Sequence, residues 1–191
     1  MQKRPSRLVF GLLAVICVET ACGALPPMTS SAISVSFRVP ERVVLWNSTG
    51  VRCAVLLPEV PEFNGPARAI RDSLQRLSGN AVSLLPEADY RSVPEGVSVL
   101  VVLGNFTTGP LVRRLYANHL VGADGLYPGE GGFELRAIPS AMDTGMDVVF
   151  LGASFADGIP LALEAFTACL KAEESGTLPL LALWQPQGWA P

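Results

Sequence analysis

Few residues in this 191-residue chain have types that could do chemistry, and the acids among them cluster between residues 124 and 147. Asp124, Glu130, Glu134, Asp143 and Asp147 are the candidates there. Glycoside hydrolysis needs two carboxyl groups at a fixed separation. This stretch is therefore where a small glycoside hydrolase or polysaccharide lyase would carry its acidic site. Chain spacing does not bring any two of these acids together, and acids on a loop and on strand faces read as solvated. His119, the single histidine, falls near the end of an expected helix, where a cation suits the dipole. Alone it supports neither a triad nor a metal site. Ser73, Ser78 and Ser154 have no companion base. No residue is assigned a catalytic, cofactor-binding or metal-ligating role, and no cofactor is expected.

Two glycine-containing segments invite an anion. GEGG (Gly129 to Gly132) could present backbone N–H groups, but it lacks the Lys-Ser/Thr ending of a phosphate loop and reads as a turn before a strand. LGNFTTG (Leu103 to Gly109) does lie between a strand and a helix, yet it lacks the G-x-G-x-x-G spacing of a nucleotide site. Tyr127, Trp184 and Trp189 are candidate glycan contacts through ring stacking; tryptophans in a tail also serve to fold it onto a core. Asn47-Ser-Thr and Asn105-Phe-Thr are glycosylation sequons, relevant in a eukaryotic secretory pathway. Asn105 follows a buried strand and is the less accessible of the two.

The chain opens with Lys3, Arg4 and Arg7, then an uncharged apolar run from Leu8 to Val18. Spanning a bilayer takes about 20 such residues. The run has the form of a signal-peptide core, with cleavage expected before Ala24. Residues 1–23 are thus a leader, and the product is expected to be secreted or periplasmic. Cys22 gives an alternative, a lipoprotein cysteine, although Glu19 stands where an aliphatic residue is usual. No other segment qualifies as a membrane span. The leader holds three basic residues and one acidic residue, so the formal charge goes from −3 to −5 on its removal. An acidic domain whose only lysine is Lys171 does not suit nucleic acid. Cys53 and Cys169, in an apolar strand and an apolar helix, read as buried thiols rather than a bridge.

Residues 24–50 read as a linker with an edge strand, SVSFRV. The compact part is expected from Val51. VRCAVLLP is a short buried strand. The helix after it has Asn64 as N-cap, Pro66 in its first turn, Ala67, Ile70, Leu74 and Leu77 on one face, and Gly79 as its stop. AVSLL is a strand and EADYRSVPEG a polar connection. VSVLVVLG is apolar throughout, as in a central strand covered on both faces. NFTTGPLVRRLYANHL is a second helix. FELRAI alternates, with Phe133, Leu135 and Ala137 on one face. DVVFLGA is another buried strand. A third helix opened by Asp157 carries Ile159, Leu163, Phe166 and Leu170. Residues 181–191 read as an extended exit segment. Strand–helix alternation predicts an α/β fold: one mixed sheet with about three helices packed on it.

This order and several motifs resemble the non-catalytic N-terminal domain of β-N-acetylhexosaminidases and α-glucuronidases. The motifs are LSGNAVSLL, VLVVLG before a helix, YPGEGGFELRAI (Tyr127 to Ile138) and DVVFLGASFADGIPLALEAF (Asp147 to Phe166). The likeness covers about residues 51–180, with Ala153 departing where a glycine is common. It implies the sheet-and-helix fold of that domain and an accessory role: packing against a catalytic partner or binding carbohydrate weakly. The family's catalytic acids belong to a separate barrel, so none is carried over. The resemblance therefore raises the expectation of a piece parted from its barrel.

Overall fold

A computed structural model describes residues 42–141, 145–172, 176–179 and 182–185. The expected leader with Cys22, the linker up to residue 41, Asp143 and Trp189 lie outside these residues, as does Trp184 beyond its backbone. The described elements run β1 (Arg42–Val44), β2 (Trp46–Asn47), β3 (Gly50–Val51), β4 (Cys53–Leu57), α1 (Asn64–Ser78), β5 (Ser83–Pro86), β6 (Val99–Gly104), α2 (Pro110–Ala117), β7 (Phe133–Ile138), β8 (Asp147–Gly152), α3 (Ile159–Ala172), β9 (Thr177–Pro179) and β10 (Ala182–Gln185).

Six strands form one mixed sheet in the order β10-β7-β8-β6-β4-β5. Strands β5, β4, β6 and β8 are parallel. Strand β7 is antiparallel to β8, and β10 is antiparallel to β7. The chain is thus mixed α/β with helices on the sheet, as the alternation of elements predicted. All six residues of β6 are buried, because this strand lies inside the sheet and both of its faces are covered. Val99, Val101 and Leu103 join Cys53, Val55, Leu135 and Leu151 under α1 and α3, against Phe63, Ile70, Leu74 and Phe166. Leu100 and Val102 face the other way with Leu56, Val148 and Phe150, under Leu111, Val112 and Leu115 of α2.

The connections diverge in the middle of the sheet. From β4 the chain passes through α1 to β5 on one side, then crosses back over β4 to β6. Helix α1 covers one face and α2 the other. The carboxyl ends of β4 and β6 therefore flank a topological switch point, where open α/β sheets commonly hold ligands.

Several sequence expectations shift. The fold begins before Val51: β1 pairs with β9, and Val43 and Leu45 are fully buried. Asn64 does not cap α1; a 3-10 turn over Pro61–Phe63 runs directly into the helix. Gly79 does end it, at φ +69°, donating its N–H to the Gln75 carbonyl. Asp157 does not open α3, which starts at Ile159 after a 3-10 turn over Ala156–Gly158. Helix α2 starts at Pro110, after the LGNFTTG loop, and runs only to Ala117. The exit segment is partly sheet, since Ala182–Gln185 hydrogen-bonds along β7 as an edge strand. Cys53 and Cys169 are free thiols, the first buried and the second half-buried; burial pushes the Cys53 thiol up to about 12.

Candidate functional site

Three loops meet at the carboxyl end of the parallel strands: residues 105–109 after β6, 122–132 before β7, and 153–158 after β8. They are tied to one another. The Phe106 N–H donates to the Ala123 carbonyl (3.0 Å). The Asn105 side-chain amide donates to the carbonyls of Ser154 (2.8 Å) and Ala153 (3.3 Å). The Gly129 N–H donates to the Ser154 hydroxyl (3.0 Å).

These loops, with the first turn of α3, carry every exposed large apolar side chain among the described residues: Phe106, Leu126, Tyr127, Phe155 and Leu161. Leu126 is 90% exposed, which decides how it is read. A Leu in that state gains nothing for the isolated fold. The tip is held firmly. Asp124 Oδ1 accepts from the N–H groups of Leu126 (2.7 Å) and Tyr127 (2.8 Å), and Asp124 Oδ2 accepts from the Tyr116 hydroxyl (2.9 Å). The two backbone bonds, chiefly that from Tyr127, hold the Asp124 carboxyl below its usual range. The same hydroxyl bond raises Tyr116. The Tyr116 ring lies 5.2 Å from that of Phe106. Burial, then the Glu134 charge, raise the Tyr127 phenol.

Of the described acids, Asp124, Glu134 and Asp147 each have separate partners. Glu134 is fully buried rather than solvated. One oxygen accepts from the Gly122 N–H (2.8 Å) and the other pairs with the Arg136 guanidinium, which also donates to the Leu120 carbonyl. It thus fastens the 122–132 loop from beneath. Asp147 opens β8 at the far end of the sheet and accepts from the Ser140 N–H. Glu134 pairs in register with Gly152, five residues along β8 from Asp147, which is roughly 16 Å of strand. A glycosidase pair stands within about 10 Å. Glu130 is exposed on the GEGG turn, whose Gly132 N–H closes onto the Gly129 carbonyl. Among the described residues no group of three His, Cys, Asp or Glu could hold a metal ion. Ser73 sits in α1, accepting from Arg76. His119 follows α2 with φ +58°.

The other candidates fall as follows. Tyr127 is on the rim. Strand β10 ends at Gln185, which pairs with Phe133 next to that loop, and Trp184 pairs in register with Glu134. Asn47 is exposed at the end of β2, next to the turn into β3. Asn105 is only 4% exposed, and its side-chain oxygen accepts from the N–H and hydroxyl of Thr107. It is a loop-building residue.

One group escaped the sequence reading altogether. Glu87, placed in a polar connection, is 1% exposed. Its Oε1 accepts from the N–H groups of Leu111 (2.8 Å) and Val112 (3.1 Å) at the start of α2. The available signal was the Gly109-Pro110 start of that helix, which has no side-chain cap of its own and so needs a distant acceptor. Phe106, Leu126 and Phe155 were missed too; each is a large apolar residue outside any periodic segment.

No protein-family model matches this chain, and no curated protein matches it in sequence. No helix among the described residues is long and apolar enough to cross a membrane.

Proposed function

We propose that this chain is an exported, non-catalytic accessory domain, related to the N-terminal domain of β-N-acetylhexosaminidases and α-glucuronidases, whose apolar rim packs against a catalytic partner or binds glycan weakly. The observation that carries the reading is the rim itself. The five exposed large apolar side chains all lie at one end, on loops cross-linked by buried hydrogen bonds. A pre-ordered apolar surface loses little freedom on association, and aromatic anchors concentrate binding energy. Strand β10 also ends at this side of the sheet, with Gln185 paired to Phe133.

The reading of an acidic hydrolase or lyase site over residues 124–147 fares worse. Asp124 and Glu134 spend their oxygens on loop N–H groups, on Tyr116 and on Arg136, and Asp147 is too far along the strand. Export rests on the N-terminal leader and its cleavage before Ala24, or on acylation of Cys22.

The test uses residues 24–191 on a glycan array and on chromogenic hexosaminides and glucuronides. No turnover is expected. Any glycan retention should fall at least several-fold in Tyr127→Ala. Turnover that disappears in Glu130→Gln would overturn the non-catalytic reading. N-terminal sequencing of exported material should begin at Ala24, or show an acylated Cys22.

A further inference from the structure

The switch-point crevice between β4 and β6 is closed by the protein's own groups. The Glu59 N–H, just past β4, donates to the Thr108 carbonyl (3.1 Å), just past β6. Below that bridge the eight-residue helix α2 points its first N–H groups at the crevice, and Glu87 answers them from the end of β5. Free N–H groups at a helix start attract anions, and here the anion is a side chain. Two further observations define a built site. Glu87 Oε2 is buried with no hydrogen-bond partner, as for a group placed by its other oxygen. In addition, a Cβ on Gly109 would overlap the Glu87 carboxylate. Gly109 has φ −176°, extended backbone that any residue adopts. Its lack of a side chain is therefore required by the carboxylate and not by the chain path.

We propose that Glu87 is a tethered ligand: its carboxyl group occupies the helix-start site at the switch point, and removing it turns the crevice into a site for a small free carboxylate such as formate. Oε1 marks where a formate oxygen would sit, between the Leu111 and Val112 N–H groups. The carbon and second oxygen would lie against Gly109. The Glu59–Thr108 bridge closes the mouth of the crevice, and the space that the Glu87 carboxylate vacates is that of a one-carbon acid. This bears on the rim as well. The position where such sheets usually bind ligands is occupied from within, which is consistent with the proposed function's use of the loops at 122–132 and 153–158 instead.

The experiment is chemical rescue of Glu87→Ala in the 24–191 protein. The variant should unfold at a lower temperature than the parent. Its midpoint should rise saturably with sodium formate, and less or not at all with equal sodium chloride. The parent should show no formate-specific rise. Gly109→Ala gives the independent arm. It should destabilise the parent strongly, because the methyl meets the carboxylate. In the Glu87→Ala background it should cost far less, because the methyl fills the vacated space, and it should abolish formate rescue. If Glu87→Ala does not fold, the Leu111 and Val112 amide resonances of the parent are followed against pH and compared with those of Glu87→Gln. A carboxylate in contact makes them titrate in the parent and not in the Gln variant. Equal effects of formate and chloride, additive costs of the two substitutions, or amides that titrate alike in parent and Gln variant would each overturn the proposal.

Discussion

Glu134→Ala tests whether the buried acid is a fastener or a reagent. The substitution removes a carboxylate that is fully buried. It ends the bond from the Gly122 N–H and deprives Arg136 of its ion pair. Losing one partner of a fully buried pair costs about 3–5 kcal/mol, since the survivor is left uncompensated. Arg136 is not in that extreme. Its side chain is 30% exposed, and it keeps its bond to the Leu120 carbonyl. The low end of the range, about 3 kcal/mol, is therefore expected, with the lost Gly122 bond included in it. At roughly 2–4 °C per kcal/mol for a domain of this size, the unfolding midpoint should drop by roughly 6–12 °C. Glu134→Gln keeps an acceptor for Gly122 and loses only the charge, so its drop should be about half as large. Thermal unfolding followed by circular dichroism reads both. A midpoint for the Ala variant within about 2 °C of the parent, little more than typical surface substitutions produce, would show that the carboxylate does not hold the 122–132 loop. A parent that hydrolyses a chromogenic glycoside, with activity lost in the Gln variant at unchanged stability, would make Glu134 a reagent after all.

Three further expectations follow from other parts of the fold. Phe166 on α3 is 1% exposed against the sheet, so Phe166→Ala should cost about 3–5 kcal/mol, while Arg68→Ala on the exposed side of α1 should stay within about 0.5 kcal/mol; equal small losses in urea unfolding would mean α3 is not docked. Burial, then the nearby Glu59 charge, raise the Glu87 carboxyl, opposed by the two α2 N–H groups and by Arg113. A folded-state value above the unfolded one means the folded form binds the extra proton, so stability should fall as pH rises from the ordinary carboxylate range through the raised value and level off above it; Glu87→Gln should lack that slope, and a parent whose stability instead rises through the window would contradict the assignment. In a eukaryotic secretory host the folded protein should carry glycan at Asn47 and none at buried Asn105, so Asn47→Gln should abolish the mobility shift on enzymatic deglycosylation; a shift that survives it would contradict the placement of Asn105.

What the sequence disclosed and what it withheld have one physical cause. Apolar runs such as VLVVLG and the helical spacing of Ile70 and Leu74 record which side of an element meets the core, and that relation is written within a few residues. The sheet-and-helix fold and the faces of β6 and β7 were legible for that reason. The loop-building role of Asn105 was not, because the acceptors for its side-chain amide lie 48 and 49 residues away. Glu87 was invisible for the same reason, its partners being 24 and 25 residues on. The edge strand over Ala182–Gln185 depends on β7 for its pairing, and a tail rich in proline gave no sign of it. Glu134 alone of the rim acids was misread as solvated and proves buried, because its burial is set by which loop lies over β7, not by its neighbours in sequence; Glu130 is exposed as expected. Side-chain hydrogen bonds thus build this end of the molecule: the Glu87 carboxylate accepts from the start of α2, Glu134 and Asp124 hold the 122–132 loop, and the Asn105 amide donates to the loop after β8. With Asp124 and Glu134 used in construction, it is the exposed apolar set, with Leu126 at its tip, on which the proposed function rests.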